Sequence, residues 1–192
     1  MKNFGLHLVI IELTSDCNLR CKHCYGIFER KFSIKEETLK KIAEELKKLK
    51  CSFVVFSGGE PLLVGEKIFE YVNFFRRKRI NVILTTNGTL IEKFLIRKFR
   101  IFRNVQISLD GPSFIHNYIS GKGCYGKVIK AAKLLKEEKV RISFMMCIHK
   151  LNYPYLNEVF NIASELNIPL GIERFIPLGR GRNEEIKPLM KR

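Results

Sequence analysis

The stretch Phe53-Val54-Val55-Phe56-Ser57-Gly58-Gly59-Glu60-Pro61 decides the fold class. Its first half is a short run of β-branched and aromatic residues, which indicates a buried strand. Its second half, Gly58-Gly59-Glu60-Pro61, contains the glycine and proline residues that favour a turn. The segment before it presents one apolar helical face, made of Leu39, Ile42, Ala43, Leu46 and Leu49. A strand, a turn and an amphipathic helix in succession form the repeating unit of α/β proteins.

The same unit recurs along the chain. Six strands are predicted, at His7 to Leu13, Phe53 to Ser57, Asn81 to Thr85, Asn104 to Leu109, Val140 to Cys147 and Leu170 to Phe175. Five helical segments lie between them, at 39–49, 68–75, 91–99, 128–135 and 156–166, and Ser33 with Glu36 predicts a capping box before the first. Strict alternation implies right-handed crossovers and a parallel sheet. Since a closed barrel needs eight units, we expect an α/β fold with a partial (β/α)6 TIM-like barrel and a curved parallel sheet.

The length and composition indicate one globular domain. No Gly/Ser/Pro linker divides the 192 residues, so we expect a core over 1–176 and a basic tail over 177–192. No apolar run approaches the ~20 residues that span a bilayer, so no membrane partner is expected, and the N-terminus is not that of a signal peptide. We therefore expect a cytoplasmic protein whose six cysteines are thiols or metal ligands.

The net charge of +16 has two interpretations. Such an excess of Lys and Arg can indicate a nucleic-acid partner. The basic residues are spread over helical segments, however, with one dense run at Arg76 to Arg79. This distribution favours a solvated, Lys/Glu-rich surface over nucleic-acid binding.

Polar, small and metal-ligating residues follow the predicted strands. They are Cys17 to Tyr25, Gly58 to Pro61, Thr86 to Gly88, Ser108 to Pro112, Cys147 with His149, and Glu173 to Phe175. Parallel α/β folds bind ligands at the carboxyl ends of their strands. We therefore expect these segments to share one site.

Three cysteines, Cys17, Cys21 and Cys24, lie within eight residues. An odd number cannot form a disulfide framework. Structural zinc needs four N or S ligands, for which His23 or His7 would be the fourth. Three thiolates on a four-iron cubane would instead leave one iron open for another ligand. The spacing and the position of the loop favour the open cubane over zinc.

The motif CNLRCKHCY at 17–25 resembles the cluster loop of the radical S-adenosylmethionine (SAM) superfamily. The GGEP, TNG and SLDGP segments, in this order, are similar to the same superfamily's core. The resemblance covers about residues 7 to 180 and is strongest to the branch with peptide and sulfatase maturases and haem-pathway enzymes. Members of that branch usually carry a C-terminal domain with extra clusters. Because no cysteine follows Cys147, we expect that domain to be absent, in a minimal enzyme or a truncated core.

The resemblance implies an oxidoreductase or maturase-like enzyme. Cys17, Cys21 and Cys24 would hold a [4Fe-4S] cluster, an external donor would reduce it, and reductive cleavage of SAM would give a 5′-deoxyadenosyl radical that abstracts hydrogen from a substrate. A peptide or protein is the first expectation for the substrate and a tetrapyrrole the second. The alternative is a non-catalytic or truncated iron–sulfur and SAM-binding module that acts with a partner protein.

The resemblance also implies the residues that bind the cofactor. Gly58, Gly59 and Glu60 would hold the SAM amino group, with Pro61 in the same cofactor-binding segment. Further contacts are expected from Thr86, Asn87, Ser108 and Asp110, and Arg174 would reach the SAM or substrate carboxylate. One position departs from the family pattern. Relatives often carry an Arg for the SAM carboxylate four residues after the His that corresponds to His116, and here that residue is Ser120. Lys122 is the nearest substitute, as a point charge without the arginine fork.

Overall fold

The computed structural model describes residues 5–26, 31–182 and 186. Its sheet contains six strands, β1 (Leu8–Thr14), β2 (Phe53–Gly58), β3 (Asn81–Thr86), β4 (Asn104–Ser108), β5 (Ile142–Ile148) and β6 (Leu170–Arg174). The α-helices are α1 (Glu36–Lys48), α2 (Lys67–Arg76), α3 (Ser113–Ser120), α4 (Cys124–Glu137) and α5 (Leu156–Glu165). Short 3₁₀ helices occur at Pro61–Val64, Ile91–Lys93, Ile96–Ile101, Tyr153–Tyr155 and Gly179–Arg182.

The strands follow one another across the sheet in chain order, and every neighbouring pair is parallel. β1 and β6 form the two edges, so the curved sheet does not close. The predicted partial (β/α)6 barrel is confirmed. No described helix has the length and apolarity that crossing a membrane requires.

The two faces of the sheet differ in chemistry. The face under the helices is apolar and fully buried, as at Phe56, Leu84 and Phe144. The other face, which we call the concave face, carries polar pairs: Thr85 Oγ1 donates to Gln106 Oε1 over 2.9 Å, and Asn104 Nδ2 donates to Ser143 Oγ over 2.8 Å. The helices therefore cover the apolar core, and the concave face, which carries these polar pairs as well as the exposed Leu8 and Ile10, lies toward the opening of the barrel.

The predicted third helix, 91–99, is wrong as an α-helix. Two 3₁₀ helices replace it, with Phe94 and Leu95 in extended conformation between them. The reason is aromatic packing. Phe94 and Phe99 both contact Phe69, with ring centroids 6.0 and 5.4 Å away. Residues five apart on an α-helix lie roughly 140° apart, so a continuous helix would not bring both rings to Phe69.

The predicted capping box is also wrong. Helix α1 begins at Glu36 after Lys35, and no side chain caps it. Ser33 forms an antiparallel bridge with Thr14 instead, which fastens the segment before α1 to the end of β1. Helix α3 was not expected, because its eight residues follow the SLDGP segment with only a short apolar pattern.

Four helices end in the same turn. Lys50, Arg79, Lys139 and Asn167 have φ between 48° and 64°, in the left-handed region. The residue after each donates its N–H to a carbonyl five residues back, as Ile80 does to Phe75 over 3.1 Å and Val140 to Leu135 over 2.9 Å. These are Schellman turns, in which glycine is the usual left-handed residue.

Candidate functional site

The three cysteines lie on the loop after β1, residues 15–26, which we call the cysteine loop. Backbone hydrogen bonds fix its base to the turn after β2: Gly59 donates to the carbonyl of Thr14 over 2.7 Å, and Glu60 to that of Asp16 over 2.8 Å. Lys22 donates to the carbonyl of Ile119 in α3 over 2.9 Å. The loop therefore sits across the carboxyl ends of the strands.

Gly58 and Gly59 make this approach sterically feasible. A Cβ on Gly59 would lie 2.1 Å from the carbonyl oxygen of Asp16, and one on Gly58 would lie 2.4 Å from that of Thr14. Gly58 also has a φ of +125°, which side chains rarely permit. In the structure these glycines thus contact the base of the cysteine loop.

The Glu60 carboxylate is completely buried and accepts three hydrogen bonds. Oε1 accepts from the N–H of Leu62 over 3.0 Å and from Thr86 Oγ1 over 2.7 Å, and Oε2 accepts from the N–H of Asn87 over 2.8 Å. Burial raises the pKa of Glu60, and the three donors act against that rise. Glu60 thereby connects the turn after β2 to the turn after β3. The buried Pro61, which follows it, begins a 3₁₀ helix.

Asn87 connects the turn after β3 to the cysteine loop. Its Nδ2 donates to Asn18 Oδ1 over 2.9 Å and lies 4.0 Å from Cys17 Sγ, while Asn18 Nδ2 donates to Thr89 Oγ1 over 2.9 Å. Thr86, in contrast, is buried and is occupied by Glu60 and by the N–H of Gly88. Of these two expected SAM contacts, Asn87 is the one that borders the cysteines. Asn18 was not predicted, because its one signal in the sequence is its place beside Cys17.

All three loop cysteines are free thiols. Cys17 is exposed, and Cys21 and Cys24 are half-buried. Burial raises the pKa of Cys17, and it raises the pKa of Cys21 to about 12 although the Ser120 hydroxyl lowers it. No three His, Cys, Asp or Glu side chains of the described residues are arranged to hold a single metal ion. A cubane binds each thiolate on a different iron, so three thiols spread over one loop fit it better than they fit zinc.

Asp110 is the centre of a buried polar cluster beneath the loop. Its Oδ1 accepts the N–H of Cys147 over 3.0 Å, and Asn152 Nδ2 donates to its carbonyl over 3.0 Å. His149 packs against His23, with ring centroids 5.8 Å apart. Burial lowers the pKa of His149 to about 4, so its imidazole is neutral at ordinary pH. Asn152 was missed because no motif marks it.

Four buried polar atoms in the described part of the chain lack a hydrogen-bond partner. They are His23 Nδ1, Asp110 Oδ2, His149 Nδ1 and His149 Nε2. All belong to this one cluster, in which His23 Nε2 lies 3.8 Å from Asp110 Oδ2. Leaving such atoms unpaired costs about 1–3 kcal/mol each. The cluster is therefore suited to receive polar groups of a ligand.

The register between β5 and β6 determines which of their side chains face the site. Cys147 pairs in register with Glu173, and Ile148 with Arg174. Since neighbouring strand residues point to opposite faces, Glu173 shares the concave face with Cys147 and Arg174 points away from it. Burial beside Asp110 and Glu173 raises the pKa of Cys147 to about 12. Ser108 is half-buried on the same face, paired with Met145.

The segment after β6 contacts the cysteine loop. Arg180 Nε donates to the carbonyl of Cys21 over 3.0 Å, and the N–H of Gly181 donates to that of Cys24 over 3.3 Å. A Cβ on Gly179 would come within 3 Å of three loop carbonyls. This part of the predicted tail is therefore packed on the site, whereas residues 183–185 and 187–192 lie outside the described residues.

Comparison with known proteins assigns the chain to a family. The profile of the Radical SAM superfamily matches residues 11–163. The Fe-coproporphyrin III synthase of Methanosarcina barkeri is 28% identical over 183 residues, covering 91% of this chain and 45% of that protein. A cysteine-type anaerobic sulfatase-maturating enzyme of Clostridium perfringens is 32% identical over 188 residues, covering 83% of this chain and 49% of that protein. The chain thus spans about half the length of these relatives.

Solved structures give the same assignment. Native anSMEcpe with bound AdoMet and Kp18Cys peptide superimposes with a TM-score of 0.77 at 29% identity, over 90% of this chain and 52% of that one. Streptococcus suis SuiB bound to S-adenosylmethionine shares the fold, with a TM-score of 0.82 at 22% identity over 98% of this chain and 44% of that one. Enzymes of this superfamily use a [4Fe-4S] cluster and SAM. The present chain belongs to the Radical SAM superfamily.

Proposed function

We propose that this chain is the core of a radical SAM enzyme, in which Cys17, Cys21 and Cys24 bind a [4Fe-4S] cluster and the adjoining strand ends bind SAM. One observation carries the proposal. Three free thiols lie on one loop whose base is hydrogen-bonded to the GGEP turn and whose Cys17 borders Asn87 of the TNG turn. Residues 1–176 would form this core.

A [4Fe-4S] cluster held by Cys17, Cys21 and Cys24 would supply one electron for the reductive cleavage of SAM, and with it the means to abstract a hydrogen atom from a substrate. The chain's own residues would position SAM. The backbone of Gly58 and Gly59 would border the SAM ammonium, and Glu60, whose buried carboxylate accepts three hydrogen bonds from the protein, would hold this turn in place. Asn87 would complete this side of the site.

The Asp110 cluster would bind the neutral polar groups of SAM. The free Oδ2 of Asp110 is an acceptor and suits ribose hydroxyls, for which Ser108 is a neighbouring donor. It does not suit the SAM carboxylate, because like charges would meet. Water is excluded here by burial, which radical chemistry requires to avoid side reactions.

The SAM carboxylate needs a cation, and Ser120 provides none. Arg174, expected for this role, points to the other face of β6, and Lys122 lies on the exposed turn between α3 and α4. Arg180 is held at the cysteine loop through its Nε. We therefore assign the carboxylate contact to Arg180, whose planar fork suits a carboxylate.

A peptide or protein is the proposed substrate. Several relatives are maturases by name, among them the mycofactocin maturase MftC of Mycolicibacterium smegmatis, 29% identical over 178 residues. The polar concave face offers amide and hydroxyl groups at Gln106, Asn104 and Ser143, which suit a peptide backbone. A tetrapyrrole remains the second candidate, because the Fe-coproporphyrin III synthase is among the relatives. An external low-potential protein would donate the electron.

Anaerobic reconstitution tests the cluster. We expect about four irons per chain, and Cys17→Ala, Cys21→Ala or Cys24→Ala should abolish them. Cys51→Ala is the matched control, since that thiol is buried away from the loop and contacts the carbonyl of Phe53. A tightly bound zinc, or intact iron in the triple variant, would refute the assignment.

Reduction by dithionite tests the chemistry. The reconstituted chain with SAM should release 5′-deoxyadenosine. The Arg180→Ala variant should need a higher SAM concentration to reach half of its maximal rate of release. If the chain binds both cofactors without cleaving SAM, it is the alternative, a non-catalytic or truncated module that acts with a partner protein.

A further inference from the structure

The amino ends of the strands, at the sheet edge opposite the cysteine loop, carry a concentration of cations. Four connections lead into β2, β3, β4 and β5, at residues 44–52, 76–80, 100–103 and 136–141. Together they contain twelve Lys and Arg residues and four Glu. The connection into β6, at 164–169, contains no Lys or Arg. At this edge of the sheet the Lys and Arg residues thus lie before β2, β3, β4 and β5, which are adjacent, and not before β6.

The sheet register places these connections side by side. Asn81 donates to the carbonyl of Ser52 over 3.0 Å, Arg103 to that of Val82 over 2.7 Å, and Val105 to that of Arg141 over 2.9 Å. Adjacent strands are about 4.8 Å apart. The cations therefore form a row, which we call the basic rim: Lys50, Arg76, Arg77, Arg79, Arg103, Lys139 and Arg141.

The charge of the basic rim is not neutralised within the described residues. Three of the four glutamates in these connections pair with cations of the same connections that are not among the seven rim residues. The pairs are Glu44 with Lys78, Glu45 with Lys48, and Glu138 with Arg100. All seven rim residues are exposed, and none forms an ion pair with another described residue. The rim therefore presents free cations to solvent.

Helix stability does not account for these cations. Lys or Arg in the last turn of a helix gains about 0.3–1 kcal/mol from the helix dipole. Lys50, Arg79 and Lys139, however, lie beyond the last turn in left-handed conformation. A side chain there costs roughly 1–2 kcal/mol relative to the freedom of glycine. The three cations occupy positions where stability alone would favour glycine.

We propose that the basic rim binds the phosphate backbone of a nucleic acid. Five of its seven residues are Arg, whose planar fork binds phosphate oxygens in pairs. A linear row of free cations matches a linear array of phosphates. Because the rim contains no aromatic residue to stack on bases, binding should show little sequence preference. The rim lies at the far ends of the strands from the cysteine loop, so binding does not depend on the cluster or on SAM.

Fluorescence anisotropy with a labelled mixed-sequence RNA of about 20 nucleotides tests this, with DNA of the same sequence in parallel. The informative variant combines Lys50→Gly, Arg79→Gly and Lys139→Gly. Glycine suits the left-handed turns, so this variant should unfold at the same or a higher urea concentration than the unaltered chain. Each lost phosphate contact costs about fivefold at about 0.1 M salt, so affinity should fall on the order of 100-fold. The slope of log K against log salt should become shallower by about 2.

The matched control removes three cations elsewhere, through Lys40→Gln, Lys98→Gln and Lys130→Gln. These residues pair with Glu36, Glu66 and Glu92 on the outer surface. The control should keep its affinity within a few-fold. An equal loss in both variants, or binding insensitive to salt, would overturn the proposal. Displacement of the RNA by polyglutamate as effectively as by polyphosphate would also overturn it and indicate an acidic protein partner. A comparison of RNA with DNA then identifies the source of the phosphates.

Discussion

Gly59→Ala should destabilise the fold and the cluster together. The new Cβ would lie 2.1 Å from the carbonyl oxygen of Asp16, the residue before Cys17, so the backbone of either the GGEP turn or the cysteine loop must move. Overpacking of this kind costs about 1–3 kcal/mol. The hydrogen bonds from Gly59 to Thr14 and from Glu60 to Asp16 would weaken as well, at about 1 kcal/mol each. We expect a total loss of about 3–5 kcal/mol in the free energy of unfolding.

Urea unfolding of the metal-free chain measures the first effect, and iron per chain after anaerobic reconstitution measures the second. Gly126→Ala is the control, because a Cβ at that position in α4 meets nothing within 4 Å. The free energy of unfolding of this variant should rise by roughly 0.5–1 kcal/mol, and the variant should bind as much iron as the unaltered chain. If Gly59→Ala unfolds like the parent chain and binds a full complement of iron, the glycine does not hold the loop and the reasoning fails.

Three further perturbations probe the buried polar groups. Glu60→Ala should cost at least about 3 kcal/mol, since it leaves the donors of Leu62, Thr86 and Asn87 unpaired, whereas Glu66→Ala at the surface should be nearly neutral in the same urea titration. Asn152→Ala should cost about 3 kcal/mol or more for the loss of its bonds to Asp110, Cys147 and His149, and a change below 1 kcal/mol would contradict this. Because the pKa of His149 is lowered to about 4, the free energy of unfolding should keep its full value above about pH 6.5 and fall as the pH is lowered toward 4. In this range protons bind the unfolded chain more readily than the folded one, and the loss in the free energy of unfolding reaches about 3 kcal/mol. His149→Phe should flatten this slope in the metal-free chain, and the same change at exposed His7 should not.

The arrangement of the sheet could be predicted because apolar strand and amphipathic helix alternate throughout the chain. The β2 prediction, Phe53 to Ser57, differs from the observed Phe53–Gly58 by one residue. The prediction failed where distant contacts decide local structure. Ile91, Phe94, Leu95 and Phe99 together gave a helical pattern, but the packing of both Phe94 and Phe99 on Phe69 required an extended link between them.

The sequence predicted which segments lie at the site better than it predicted what each side chain does there. Glu60 was expected to bind a ligand, whereas its carboxylate is largely used by donors from two different turns, and no local pattern reveals such partners. Arg174 was expected to reach a carboxylate because of its charge, and the strand register, which places it on the face opposite Cys147, is not visible in the sequence. The left-handed residues Lys50, Arg79 and Lys139 gave no signal, because the sequence carries no glycine at these turns.

The contact of Arg180 with Cys21 joins residues 159 positions apart, and it has a consequence for the order of assembly. A chain growing on the ribosome makes the cysteine loop early, but residues 179–181 can pack on that loop only after about 160 further residues have been made. Contacts of such long sequence separation also form late in refolding, because the entropy of closing the loop must be overcome first. Cys21 and Cys24 are therefore more accessible before residues 179–181 have been added than afterwards. Stalled chains that end near residue 176 should accordingly have Cys21 and Cys24 alkylated faster than chains that extend through residue 192.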